Sequence, residues 1–207
     1  MGRPAKMTDT ELLDVTCALI WERGCDQVTI RDLEAALDLR APSIYRRFDS
    51  RDALLTAAID RYVERVVQGR IARFLDGAVD PVTGIGEFFL SVVAIPAGRS
   101  KAPGCLLTTT SQQAAGAVPS IAAAIGRGFD LIEAALHRSL DRAVALGSSF
   151  ASPTSEIARS LLQAFQGVLV LARCGFDHLE SSVRFTLDAL LISHQLAPNL
   201  TEGASSS

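Results

Sequence analysis

The chain has 207 residues, 48% hydrophobic and 21% charged, with 15 Gly and 8 Pro. That composition excludes wholesale disorder, a collagen-like repeat and a disulfide miniprotein, and the length suits a small module joined to a larger one. Twenty basic against 23 acidic residues leave a net charge of −3, so any nucleic-acid binding must come from a local basic patch.

Arg3 and Lys6 open the chain, but Glu11 and Asp14 interrupt before an apolar run of signal-peptide length. The most apolar internal run, 167–172, is far below the roughly 20 residues that span a bilayer. A soluble, cytoplasmic protein with no membrane partner is expected. Thr8 and Glu11 have the form of a capping box, Leu12, Leu13, Thr16, Leu19 and Ile20 trace one helical face, and Gly24 closes that helix. Thr29 and Asp32 repeat the capping signature for a short helix through Leu37, broken at Asp38. A third short helix carries Pro42 in its first turn and runs to about Arg47.

A longer helix begins near Asp49 or Ser50, with Leu55, Ala58, Ile59, Tyr62 and Val66 as its stripe and Phe74 and Leu75 continuing it. Asp80-Pro81 starts another, bearing Ile85, Phe88, Phe89, Val92 and Val93. The Pro- and Gly-rich stretch 95–104 reads as a connector, and Cys105 to about Ala115 as a helix. Pro119 to Leu146 has the cleanest pattern, ended by Gly147. Pro153 opens a helix through Cys174 with Gly175 as its stop, and Asp177 with Glu180 caps a last helix stopped by Pro198. The Ser-rich tail from Asn199 is expected to be disordered. The fold expected is all-α, about nine helices without internal repeat. It divides into residues 1–52, residues 53–197 and a tail, 198–207.

The informative stretch is 29–51. Two short helices with a tight turn, the second bearing polar and basic residues, form a helix-turn-helix pattern whose second helix can enter a major groove. Ile30, Leu33, Ala36, Leu37, Leu39, Ile44 and Phe48 are spaced to pack inward, leaving Ala41, Ser43, Arg46 and Arg47 with outward options. Arg40, Arg46, Arg47 and Arg51 lie within twelve positions, opposed there only by Asp49. Residues 1–52 hold eight basic and ten acidic residues, which confines the positive field to one edge. The bland alternative is a solvated face of an ordinary bundle. Gly2-Arg3-Pro4 reads as a loose terminus or a minor-groove arm.

Thr29-Ile30-Arg31-Asp32-Leu33, Ser43-Ile44-Tyr45-Arg46-Arg47-Phe48 and Ser50-Arg51-Asp52-Ala53-Leu54-Leu55 resemble the DNA-binding domain of the TetR/AcrR family of transcriptional regulators. The resemblance covers about the first 55 residues. It implies that Thr29 and Arg31 face phosphates, that Ser43, Tyr45, Arg46 and Arg47 lie at the major groove with Ala41 and Pro42 beside them, and that Arg51 grips the backbone. Asp38 stands where the family usually has Gly, and Arg40 where it often has a Ser cap. The function implied is a homodimeric repressor of a palindromic operator in double-stranded DNA, released by a small effector.

Dimerisation is expected through the last two long helices, on Ile157, Leu161, Phe165, Val168 and Ala172 and on Val183, Leu187, Leu190 and Leu191, with Ala164 and Gly167 allowing close approach. The candidate effector pocket comprises Phe74, Phe88, Phe89, Cys105, Thr109, Gln113, Phe129 and Phe165, aromatic bulk beside a polar segment. With no Lys and few acids on the expected inner faces, the ligand is read as largely neutral and apolar. Cys105 near a helix start also allows an electrophile- or oxidant-sensing regulator. The remaining alternative is an all-α small-molecule binder without DNA affinity. The scattered cysteines and isolated His137, His178 and His194 suggest no metal, and no cofactor is expected. No phosphate loop or Gly-x-Ser-x-Gly elbow supports an enzyme.

Overall fold

Helix capping sets the N-terminal architecture of this computed structural model, which describes residues 7–93, 105–113 and 118–191. In α1 (Asp9–Arg23) the Thr8 hydroxyl accepts the Glu11 N–H at 3.2 Å while the Glu11 carboxylate accepts the Thr8 N–H at 2.8 Å. Two of the four orphan donors at the helix start are thereby satisfied. The same reciprocal pair, Thr29 and Asp32, opens α2 (Ile30–Leu37). Asp38 follows at φ 49°, ψ 41°, the left-handed conformation that Asp adopts more readily than most residues. The turn therefore forms without glycine.

α3 (Ala41–Tyr45) ends two residues sooner than the sequence suggests. Arg40 at its N-cap makes no side-chain cap, but Glu34 on α2 reaches across and accepts the Ala41 N–H at 2.7 Å. α4 (Arg51–Tyr62) is capped by Ser50 and continues unbroken. It passes through a π-helical stretch, Val63–Val67, a single α-helical turn, Gln68–Arg70, and a second π-helical stretch, Ile71–Asp76. The sequence foretells the length but not the widened turns, since apolar spacing of three and four fits either.

α5 (Pro81–Leu90) starts on the Asp80 cap. α6 (Leu106–Gln113), α7 (Pro119–Ala145), α8 (Thr154–Arg173) and α9 (Leu179–Leu191) follow. The expected Asp177 cap is corrected: α9 begins at Leu179, with His178 at φ 61° offering its carbonyl to Ser182 N. The Gly2-Arg3-Pro4 arm, the 95–104 connector, His194, Pro198 and the tail lie outside the described residues. Among the described residues there are nine helices and no strand.

α7 is the spine. It packs on α4, α5, α6 and α8, while α1 lies along α4 and α9 closes over α5 and α8. A Cβ on Gly128 of α7 would stand 2.5 Å from a methyl of Leu107 and 3.0 Å from one of Val63, so glycine is what allows α6 and the first π-helical stretch to close there. One apolar core runs from Leu12 and Ile44 to Leu161 and Leu187. The stripes expected to dimerise need correction. Ile157, Leu161, Phe165 and Val168 on α8, with Val183 and Leu187 on α9, are buried within this single chain. The apolar side chains left exposed are instead Val170 and Leu171 on α8, Phe185 on α9, and Phe176 between them.

Candidate functional site

Ile44, without any exposed surface, seats α3 on α2 in the same core as Leu33, Leu37 and Val28. Locking that one side chain fixes the rotation of a five-residue helix and turns Pro42 and Tyr45 outward, with Arg40 and Arg46 at its two ends. Tyr45 is 43% exposed, an unusual expense of aromatic surface. Ala41 and Ser43 are half-buried on the flanks. Thr29 and Arg31 are exposed at the start of α2, although the Thr29 hydroxyl is engaged in its own cap. Among the described residues, Arg31, Arg40 and Arg46 take part in no ion pair.

Of the acids around these cations, Asp32, Glu34 and Asp52 are internally occupied, while Asp38 and Asp49 are exposed and unpaired among the described residues. Asp32 closes the α2 cap and pairs with Arg23, and the Thr29 hydroxyl and N–H hold its carboxyl below the usual range. Glu34 caps α3 and Asp52 pairs with Arg51. Such pairing offsets part of the excess of acids over bases in residues 1–52 and leaves Arg31, Arg40 and Arg46 free on the outer edge among the described residues.

Two predicted arginines point elsewhere. Arg47 turns back to the start of α1, donating to the Met7 carbonyl at 3.0 Å and lying 3.1 Å from Asp9 Oδ1. Arg51 donates from Nε to the Val28 carbonyl at 2.6 Å and from Nη2 to that of Cys25 at 2.7 Å. Arg51 thus ties the loop ahead of α2 to the start of α4. Cys25 is held from its other side too, its N–H donating to Gln113 Oε1 at the end of α6 at 3.1 Å. Gly24 beside it, at φ 91°, has no room for a Cβ because the Gln113 amide lies 2.7 Å from where one would be.

A cavity of about 210 Å³ lies deeper, between the helices. Trp21 of α1 and Tyr62, Val66, Val67 and Arg70 of the α4 rod form one wall; Phe88, Ile132, Phe165 and Leu169 form the other, with Val92 and Cys105 at its edges. Between ring centres, Phe165 lies 4.6 Å from Phe88 in a tilted arrangement and 5.1 Å from Phe89, edge-on. The Tyr62 hydroxyl donates to Cys105 Sγ at 3.7 Å and accepts the Leu106 N–H at 3.4 Å, so α6 begins on α4 at the cavity edge. Burial raises the Tyr62 phenol well above its ordinary value and keeps it neutral.

Of the pocket residues expected from the sequence, Phe88, Cys105 and Phe165 line this cavity. Thr109 and Gln113 share an adjoining groove with Cys105 and Arg173. Phe89 backs Phe165 in the core, Phe74 lies on an outer groove under Arg70 and Arg73, and Phe129 is half-buried on α7 outside the cavity lining. Sequence reasoning missed Trp21, Tyr62 and Arg70. Arg70 stands four residues after Val66, on the α4 stripe itself, and a cation on an apolar stripe was the available signal. It corrects the expectation of an uncharged lining, which had weighed only lysines and acids.

The profile described as bacterial regulatory proteins, tetR family, matches residues 12–58. A curated relative, the HTH-type transcriptional repressor ComR of Escherichia coli (strain K12), is 24% identical over 106 residues, 51% of this chain. The match spans only half of that relative's length. Among solved structures, the TetR family regulator CifR, as a cysteine mutant complexed with 26-bp double-strand operator DNA, superposes with a TM-score of 0.78 at 22% identity, covering 91% of this chain and 99% of its own. The reduced form of E. coli NemR gives 0.75 at 20% identity, covering 86% and 95%. At such identities the structures establish a shared fold. No helix among the described residues is long and apolar enough to cross a membrane.

Proposed function

We propose, from the match of residues 12–58 to the tetR family of bacterial regulatory proteins, that this chain is a regulator of that family, a transcriptional repressor binding a palindromic operator as a homodimer. A small molecule with an apolar body, entering the central cavity, releases it. Residues 1–52 are the DNA-binding unit and 53–197 the sensor, with the long α4 belonging to both. The observation that carries the reading is the outward row of Arg40, Pro42, Tyr45 and Arg46, on a helix whose single buried side chain is Ile44. Such a face suits a major groove, with Arg46 and Tyr45 at base edges and Arg31 and Arg40 at phosphates.

A two-fold operator requires two heads. The apolar patch of Val170, Leu171, Phe176 and Phe185 favours pairing through α8 and α9, on a face distinct from their buried stripes. Release requires that ligand bind unequally to conformers with differently spaced heads. Two rigid connections join cavity and head. α4 carries Tyr62, Val66 and Arg70 at one end and Arg51 at the other, and α6 runs from Cys105 to the Gln113 contact with Cys25.

The test is fluorescence anisotropy with a duplex from upstream of the chain's own coding sequence and with a random duplex, for the parent and for Phe185→Glu. We expect tight, salt-sensitive binding of the upstream duplex by the parent. Phe185→Glu should be monomeric in sedimentation and weakened on the operator far more than on random DNA. No salt-sensitive binding of any duplex by the parent rejects the reading.

A further inference from the structure

Among the described residues, Arg70 is a cation without an anion. Its Nη2 donates to the Phe88 carbonyl at 3.0 Å and to Ser91 Oγ at 2.7 Å, whereas Nη1 and Nε have no acceptor among the described residues. No carboxylate pairs with it there, and residues 94–104 contain no Asp or Glu. Its guanidinium carbon sits 5.0 Å from the ring centre of Phe88 and 5.9 Å from that of Phe165. The rings attract the cation but neutralise none of its charge. A charge removed from water in this way is costly unless something completes its hydrogen bonding.

The rest of the cavity's polar equipment is also of the donating kind. The buried Nε1–H of Trp21, which lines the same cavity, has no acceptor among the described residues. Outside, Arg70 borders a groove that also carries Arg73 and Arg65, the latter 3.6 Å from Asp14, so Arg73 adds positive charge to the approach. One unpaired guanidinium and one spare indole donor, in an apolar cavity of about 210 Å³, match a single negative charge on a compact apolar body. A doubly charged phosphate would require a second cation inside, and among the residues lining the cavity there is none.

We propose that the cavity binds a small amphipathic monocarboxylate, its carboxylate received by Arg70 and its aromatic or short aliphatic body packed between Phe88, Phe165 and Val66. Desolvation lowers the Arg70 guanidinium from its usual value, though it stays cationic, and an arriving carboxylate relieves that penalty. The inference rests on reading the cavity as the effector site and adds the chemical class of its occupant.

Trp21 is the sole tryptophan and a cavity residue, so its emission reports occupancy directly. The full chain is titrated with 3-phenylpropanoate and with the uncharged 3-phenylpropanamide, by fluorescence and calorimetry, as the parent and as Arg70→Met and Arg70→Lys. The acid should bind the parent at least about tenfold more tightly than the amide. Arg70→Met should abolish that preference while leaving amide binding nearly unchanged, and Arg70→Lys should retain part of it. Equal affinity for acid and amide in the parent, a preference that survives Arg70→Met, or no saturable binding of the acid overturns the proposal. The acid–amide comparison needs no variant, so a poorly folded Arg70→Met would not rescue it. DNA anisotropy on the same samples separates the two levels. Acid binding that leaves DNA affinity unchanged upholds the site and removes its effector role, whereas DNA binding without acid binding overturns the carboxylate site and leaves the repressor reading standing.

Discussion

Replacing Arg51 with Ala distinguishes a brace inside the protein from a contact to phosphate, because the two roles leave different traces. The Arg51 guanidinium donates to the carbonyls of Val28 and Cys25 and pairs with Asp52 at 2.8 Å. A hydrogen bond from a charged donor contributes about 1.5–3 kcal/mol; allowing for partial exposure and for water reaching the freed carbonyls, the net loss is about 2–3 kcal/mol. For a chain of this size that lowers Tm by roughly 4–12 °C. The loop 25–28 loosens, α2 loses its fixed start, and duplex binding weakens. The slope of log Kobs against log salt should nevertheless stay at the parent's value, since no phosphate contact has been removed. A direct contact would instead reduce the slope by about 0.9. Thermal melting followed by circular dichroism, with anisotropy titrations at several salt concentrations, reads both quantities. Arg51→Lys should behave more like Ala than like the parent, because one ammonium cannot span two carbonyls. An Ala variant that melts with the parent and loses one unit of slope would refute the brace.

Arg46→Ala, at an exposed position, should leave Tm unchanged and cost about 1–3 kcal/mol in operator affinity with relaxed specificity, read by anisotropy on single-base operator variants. Glu34→Ala removes the borrowed cap of α3 and should cost about 1 kcal/mol in stability, largely restored in Glu34→Gln, whose amide oxygen can still accept the Ala41 N–H. The carboxyls of Glu11, Asp32 and Asp80 are held below their ordinary values mainly by their cap hydrogen bonds. Depressed carboxylates stabilise the fold above the unfolded value near about 4, and that contribution disappears as pH falls through the folded values. Acid titration should therefore show unfolding below about pH 4, and Thr29→Ala should move its midpoint upward. Burial pushes Cys17 and Cys25 up to about 11, whereas Cys174 is exposed. Brief alkylation of the native protein, read by mass spectrometry, should modify Cys174 first; early labelling of Cys17 or Cys25 would show that their burial is wrong.

Capping chemistry was legible in the sequence because it is local. Thr8 with Glu11 and Thr29 with Asp32 need only four consecutive residues, and Asp38 announced its own left-handed turn. The positive edge could be read from spacing alone. The direction of each arginine could not, because Arg47 and Arg51 find their partners at Met7, Asp9, Cys25 and Val28, which are distant in sequence. Nor could the loss of the Ser cap be seen to be repaired, since Glu34 belongs to another helix. In the larger unit, apolar periodicity identified α8 and α9 but could not say whether a stripe faces its own chain or a second one. Val168 and Val170 look alike in sequence, yet one is buried and the other open. The cavity was half visible. Its aromatic residues stood out, while Trp21 was hidden in a helix that seemed to belong only to the other unit.

The widened turns on either side of Arg70 make its aim depend less on residue count than it would in a plain α-helix. Removing one residue from 63–67 would let that stretch return to 3.6 per turn, and four α-helical residues turn the chain by about 400°, nearly as far as the five wider ones do, so the faces downstream keep their directions. The guanidinium would keep its place against the aromatic wall, with the sequence on both sides untouched. A single-codon deletion is thus absorbed by the widened turn, a place where the rod can change its residue count while the faces it presents stay as they are.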